Sequence, residues 1–172
     1  LTTGLLESGT QRLTGPELSE RLESMGMRLG TGTGWETAHA DFTMLSGYLD
    51  EAAGLLAEVL RTPSFPESEV GRLRDQQIAS IIQRRAEPRG FASELANRFV
   101  FADSAAYTRP VGGYRETVQT LSREDVVGFH GSRFIPHRSA LIAAGNFDPE
   151  RLRDVLDEAF GDWVGEELPP LS

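Results

Sequence analysis

The sequence predicts an α+β fold, with helices packed on one face of a mostly antiparallel sheet. Three observations lead there. Thr14-Gly-Pro-Glu17 reads as a capping box ahead of an apolar stripe, the signature of a helix start. Leu49, Ala52, Leu56, Val59 and Leu60 recur at helical spacing, which makes residues 49–61 an amphipathic helix. Ala38, Ala40, Phe42 and Met44 instead alternate with His39, Asp41 and Thr43, the period of a half-buried strand within residues 35–45.

In chain order, residues 1–10 read as the end of an apolar helix that runs into Ser8-Gly-Thr10 and then a new helix start. The Thr14 side chain can satisfy an orphan N–H, Pro16 sits in the first turn and Glu17 at N3. That helix carries Leu18, Leu22 and Met25 on one stripe and ends near Gly26. Residues 28–34 lead into the strand. After the second helix, Thr62-Pro-Ser-Phe-Pro66 breaks the chain, and a long helix runs from Pro66 through about residue 85. A further helix spans residues 89–101, and residues 103–113 form an extended loop ending in Gly112-Gly113. Ser122-Arg-Glu-Asp125 caps a helix bearing Val126, Val127, Phe129 and Phe134. Residues 139–144 read as a short buried strand, Asn146-Phe-Asp-Pro149 as a turn, and residues 149–160 as the last helix. Leu168-Pro-Pro-Leu171 resembles the start of a linker. Two strands cannot satisfy a sheet alone. Their partners are expected upstream of Leu1 or in a following half, unless residues 28–33 or the 103–113 loop supply them.

With 172 residues, 39% apolar and 25% charged, the chain suits one globular domain with a real core. A net charge of −9, with all 17 basic residues Arg, argues against a nucleic-acid partner. The densest basic run, Arg84-Arg85 with Arg89, is interrupted by Glu87 and reads as a solvated helix end. There is no cysteine, hence neither disulfide nor thiolate chemistry, and the compartment, cytoplasm or periplasm, stays open. No run approaches the ~18 apolar residues of a membrane span. Leu1 follows neither an initiator Met nor a helix cap, so the chain reads as an excerpt of a longer protein.

Few residues could carry chemistry. The three histidines, His39, His130 and His137, form no i,i+4 pair, and a catalytic zinc needs about three ligands and an open position. Gly30-Thr-Gly-Thr-Gly34 lacks the sixth-position glycine of a dinucleotide loop, where Trp35 stands, and a strand follows it instead of a helix. Trp35 reads either as a cavity-lining aromatic or as a half-buried strand start. Gln76, Ser80 and Arg84 form a polar i, i+4, i+8 stripe on the long helix, either a cavity wall or a solvated face. Glu36 with Asp41, and Glu124 with Asp125, are explained by strand exposure and helix N-terminal charge without catalysis.

Five stretches add a resemblance. They are the helix Leu13-Thr-Gly-Pro-Glu-Leu-Ser-Glu-Arg-Leu-Glu-Ser-Met-Gly26, the helix start Phe65-Pro-Glu-Ser-Glu-Val-Gly-Arg-Leu-Arg74, the loop Tyr107-Thr-Arg-Pro-Val-Gly-Gly113, Leu121-Ser-Arg-Glu-Asp-Val-Val-Gly-Phe-His130, and Ala144-Gly-Asn-Phe-Asp-Pro149 with Phe160-Gly-Asp-Trp163. In order and spacing they resemble the insulinase/pitrilysin family of metallopeptidases, whose zinc motif is H-x-x-E-H. The resemblance implies an insulinase-like two-layer half-domain. Aligned on Gly9-Thr10, the motif's glutamate falls on Thr3 and its second histidine on Gly4, with the first histidine before Leu1. The family's distal glutamate ligand falls on Ser80, 76 positions after Gly4. Thr3, Gly4 and Ser80 are therefore degenerate positions, and the resemblance implies no zinc and no catalytic residue in this chain. It further implies that residues 1–165 are the first half of an insulinase-like domain lacking its N-terminal strands, with residues 166–172 beginning a linker. The partner would be a catalytic insulinase-like domain or subunit holding zinc, in the same chain or separate, and the ligand a peptide substrate. Gln76, Ser80, Arg84 and Trp35 would then line the chamber. The alternative is an insulinase-like scaffold protein with no peptidase role. The Arg and Tyr with which the family's inactive domains hold substrate lie in the second half, so they match no position here.

Overall fold

Residues 1–102 and 105–165 are described by a computed structural model. Leu5 and Leu6 are completely buried, although they end only a single helical turn, α1 (Thr2–Leu5). A 3₁₀ turn, Leu6–Ser8, leads to α2 (Gly15–Ser24), where the Thr14–Glu17 capping box forms as the sequence predicts. Leu18, Leu22 and Met25 of that stripe are all buried. A hairpin follows, with β1 (Arg28–Thr33) antiparallel to β2 (Ala38–Thr43) and Leu29 opposite Phe42. Leu29, Ala40, Phe42 and Met44 pack on the core, leaving Asp41 and His39 on the outer face. Then come α3 (Leu49–Arg61), α4 (Glu67–Ala86), α5 (Pro88–Val100), the single turn α6 (Arg115–Val118), α7 (Arg123–Arg133) and α8 (Pro149–Phe160). The α+β class holds, with a two-stranded antiparallel sheet.

One buried cluster joins α1, α2, the hairpin and α3 with Phe65, Val70 and Val126. Its seam is the corner between α3 and α4. Gln11 donates to the Thr62 carbonyl at 2.9 Å, and Ser64 to the Gly9 carbonyl at 3.1 Å. The Arg123 guanidinium donates to the carbonyls of Phe65 (2.7 Å) and Ser64 (3.2 Å). His130 on α7 donates from Nε2 to the Leu60 carbonyl at 2.8 Å, its ring edge-on to Phe65 at 5.3 Å and stacked on Phe134 at 4.9 Å. Phe65, with φ +46, occupies a backbone region that costs free energy, held there by its buried ring.

Several expectations are corrected. Residues 139–144 are neither strand nor buried: Leu141 and Ile142 are 47% and 89% exposed, and no described strand lies beside them to take their backbone bonds. The second strand starts at Ala38, because Trp35 and its neighbours make the hairpin turn, where Gly34 donates to Thr37 at 2.7 Å. Its partner is supplied by residues 28–33 and not by the loop after α5, which holds a 3₁₀ turn at Ala106–Thr108. On α3 the inward leucine is Leu55, with Leu56 beside it only partly buried. On α7 only Val126 is buried, while Val127 and Phe129 face solvent. The linker reading of residues 168–171, and residues 103 and 104 of the loop, lie outside the described residues.

Phe65→Ala removes the ring at the seam and should cost about 3–5 kcal/mol, read from urea denaturation. Burial holds the His130 imidazole below its ordinary pKa, so it is neutral in the fold. As pH falls below the unfolded value of about 6.5, the unfolded chain binds a proton that the folded one refuses, and stability declines. A pH series of urea midpoints should show this decline in the native chain and a flatter profile in His130→Gln.

Candidate functional site

The turn α1, on which the resemblance would set the zinc motif, packs against α4. A Cβ placed on Gly4 would stand 4.0 Å from Leu73 Cδ1. Thr3, 7% exposed, shares a hydrogen bond between its hydroxyl and that of Thr33 at the end of β1. Ser80 is exposed, seven residues or about 10 Å further along α4 than Leu73. The fold thus brings Thr3 to Thr33 and Gly4 to Leu73, and places Ser80 further along the same helix. These residues do not fit a zinc ion. Zinc sites use imidazole, thiolate or carboxylate, whereas here one hydroxyl is engaged by another and the next residue has no side chain. Among the described residues, no three His, Cys, Asp or Glu side chains gather in a group able to hold a metal ion.

Gln76 and Arg84 are exposed on α4 with Ser80. Gln76 accepts a long hydrogen bond from Arg72 at 3.4 Å. The adjacent Gln77 donates from Nε2 to the Gly112 carbonyl at 2.7 Å, and the Arg84 guanidinium lies against Gly112, so the loop before α6 is laid along this helix. Trp35, 46% exposed at the hairpin tip, donates from Nε1 to the Arg109 carbonyl at 2.8 Å. Its ring lies 5.6 Å from that of Tyr107, which in turn lies 5.1 Å from Phe101. The Tyr107 hydroxyl donates to the Glu36 carboxylate, which pushes its pKa above the ordinary phenol value and keeps the proton in place. Trp35 is therefore one member of an aromatic clasp joining the hairpin tip to the loop after α5. Sequence reasoning missed Tyr107, Phe101 and Glu36 as its companions. Tyr107 did stand inside a motif stretch, but a 72-residue separation from Trp35 leaves no local periodicity to reveal the pairing.

The glycines at 30 and 32 have a use unrelated to phosphate. A Cβ on Gly32 would collide with the His39 ring at 2.3 Å, and one on Gly30 would press on the Asp41 carboxylate at 3.0 Å. Both glycines let the side chains of β2 lie across β1 on the outer face. The candidate surface is thus built of amides, hydroxyls, one guanidinium and aromatic faces. Such groups can contact a polypeptide backbone and its side chains.

A family model described as insulinase, peptidase family M16, matches residues 3–108. The chain belongs to this family. A second model, described as the peptidase M16 inactive domain, matches residues 120–172. An uncharacterized zinc protease of Mycobacterium leprae is 26% identical over 157 residues, covering 91% of this chain and 35% of that protein. Subunit 1 of the bovine (Bos taurus) mitochondrial cytochrome b-c1 complex is also 26% identical, over 168 residues, with 95% of this chain and 35% of that protein covered. The chain therefore spans about a third of the length of these relatives. A crystal structure of a peptidase M16 inactive domain from Pseudomonas fluorescens superposes with a TM-score of 0.90 at 18% identity, covering 99% of this chain and 42% of that one, and shows the fold. Among the described residues of this insulinase-family chain, no helix is long and apolar enough to cross a membrane.

Gly4→His combined with Ser80→Glu should leave the chain without stoichiometric zinc after dialysis and without turnover of a fluorogenic peptide. The first histidine is still missing and Thr3 still stands at the position of the base. One tightly held zinc per chain, or turnover, would mean that the alignment register is wrong.

Proposed function

We propose that the chain is a non-catalytic insulinase-type domain or subunit of a zinc-dependent peptidase. It forms one wall of a peptide chamber, while a catalytic domain, in the same polypeptide or a separate one, carries the zinc and the water-activating glutamate. The observation that carries this reading is that, in an insulinase-family chain, Thr3, Gly4 and Ser80 are the residues that fall on the family's base and two ligand positions in the sequence alignment on Gly9-Thr10. The match of residues 120–172 to the M16 inactive-domain model supports it. On this reading Gln76, Ser80 and Arg84 of α4, with Trp35 at the hairpin tip, face the peptide. Residues 1–165 are then the first half of the domain, its sheet completed by strands outside residues 28–43, and residues 166–172 lead toward a second half.

The similarity to a subunit of the cytochrome b-c1 complex favours a second reading, an insulinase-like core protein that holds an assembly together with no peptidase role. Sequencing the coding DNA on either side separates the two. An intact H-x-x-E-H with a distal glutamate, in frame or in the neighbouring cistron, supports the peptidase reading, and its absence supports the scaffold.

With such a catalytic domain in hand, adding this chain should raise peptide turnover about tenfold or more, since a chamber wall positions the substrate. Trp35→Ala and Arg84→Ala should then raise KM several-fold with the fold intact by circular dichroism. Turnover indifferent to the chain would overturn the chamber-wall reading.

A further inference from the structure

Helix α5 is packed the wrong way round for an ordinary surface helix. At about 100° per residue, Phe91, Leu95 and Phe99 fall on one stripe, with Ala92 beside it. That stripe faces solvent: Phe91 is 46%, Leu95 37% and Phe99 87% exposed. The partly buried positions are instead Gly90, Glu94 and Asn97, on the opposite side. Two features hold this orientation. Arg85, in the last turn of α4, donates to the Glu94 carboxylate at 2.9 Å, and that carboxylate-bearing side chain is only 13% exposed. Gly90 admits the close approach, since a Cβ there would meet the Arg84 carbonyl oxygen at 2.5 Å. The polar face is thus fixed inward and the apolar face is presented outward, at roughly 300 Å² if each ring contributes 150–250 Å² when fully exposed. A patch of about that size is the largest on a typical soluble monomer, where it is often functional.

We propose that this stripe docks an amphipathic helix of a partner protein, a helix apolar on one face and bordered there by carboxylates. The borders of the stripe supply the charge argument. Arg98 lies along one side, braced by donation to the Tyr114 hydroxyl at 3.0 Å, and exposed Arg89 lies along the other. Residues 84–98 hold four Arg against two Glu, in a chain whose net charge is −9. A second copy of the chain would set one arginine-bordered face against another, so the complementary occupant is a different, acidic one. A stripe at i, i+4, i+8 is the spacing at which one helix offers anchors to another. The proposal goes beyond the chamber-wall reading and does not require the partner to hold zinc.

The test uses two lactam-bridged helical peptides, each with leucines at i, i+4 and i+8, one bordered by Glu and the other by Lys. Fluorescence anisotropy with the full chain should show binding of the Glu-bordered peptide only. Phe99→Asp should weaken it about tenfold or more, the scale of an interface anchor. Arg89→Glu combined with Arg98→Glu should transfer the preference to the Lys-bordered peptide. Because all three residues are exposed, circular dichroism should report unchanged folding in both variants. Binding of neither peptide, equal binding of both, or indifference to Phe99→Asp would overturn the proposal. So would concentration-dependent dimerisation in sedimentation that Phe99→Asp abolishes, which would make a second copy the occupant, or loss of Glu-bordered peptide binding in a longer form of the same polypeptide, which would make one of its own further segments the occupant. If a catalytic insulinase domain is stimulated equally by native chain and Phe99→Asp, while the Glu-bordered peptide fails to bind, the docking proposal falls and the chamber-wall reading stands. If peptide binding behaves as stated and no stimulation occurs, the docking proposal stands and the chamber-wall reading falls.

Discussion

The corner between α3 and α4 is the constraint on which the rest of this molecule hangs. Five residues, 62–66, leave one helix and enter the next, and their carbonyl and amide groups would be orphans without outside partners. The partners come from far away in the chain. Residues 9 and 11 reach in from the N-terminal turn and Arg123 from α7, while His130 of α7 takes up the Leu60 carbonyl in the last turn before the corner. Phe65 fills the space between them with its ring while its backbone holds a costly conformation. Removing any one contact strips a buried group of its partner, a loss larger than the net worth of a bond. The buried cluster at this knot takes in Leu5, so α1, the turn that carries Thr3 and Gly4, is anchored by it as well.

That anchoring is built from apolar side chains and neutral groups. Thr3 shares one hydroxyl–hydroxyl hydrogen bond with Thr33, joining α1 to β1 with neutral groups. Gly4 meets Leu73 across an ordinary van der Waals gap. A histidine or glutamate buried here without a metal would carry an unpaired polar group, which is expensive, whereas a hydroxyl pair and a glycine are cheap. Nothing in the core asks for a cation.

Helices were legible in the sequence because their signals are local. The capping box at Thr14, the cap at Ser122, the Pro-rich break at 62–66 and the periodicity of Leu49–Arg61 each act within one or two turns. Sheet structure was less legible because strands are defined by neighbours. Residues 139–144 have the composition of a strand and no described strand to pair with, while the glycine-rich residues 28–33, which lack apolar alternation, do pair. The alignment that sets Thr3, Gly4 and Ser80 on the zinc-motif positions rests on a resemblance alone, since nothing in their local sequence points to a site. The clasp of Trp35 with Tyr107 and Phe101 was hidden because it joins Trp35 to residues 72 and 66 positions away, and the inward polar face of α5 because amphipathicity says where apolar residues lie and not which way they turn.

The unpaired segment 139–144 has a colloidal consequence. Ser-Ala-Leu-Ile-Ala-Ala carries no charge and no proline, belongs to no described strand, and is exposed along its length. What keeps molecules of the isolated chain apart is their common charge of −9, a repulsion that acts through water over about 10 Å at 0.1 M salt and over about 3 Å at 1 M. The isolated chain is thus a polyanion with a sticky seam. By the same physics, added salt weakens that repulsion and leaves the exposed Leu141 and Ile142 freer to meet those of a neighbouring molecule.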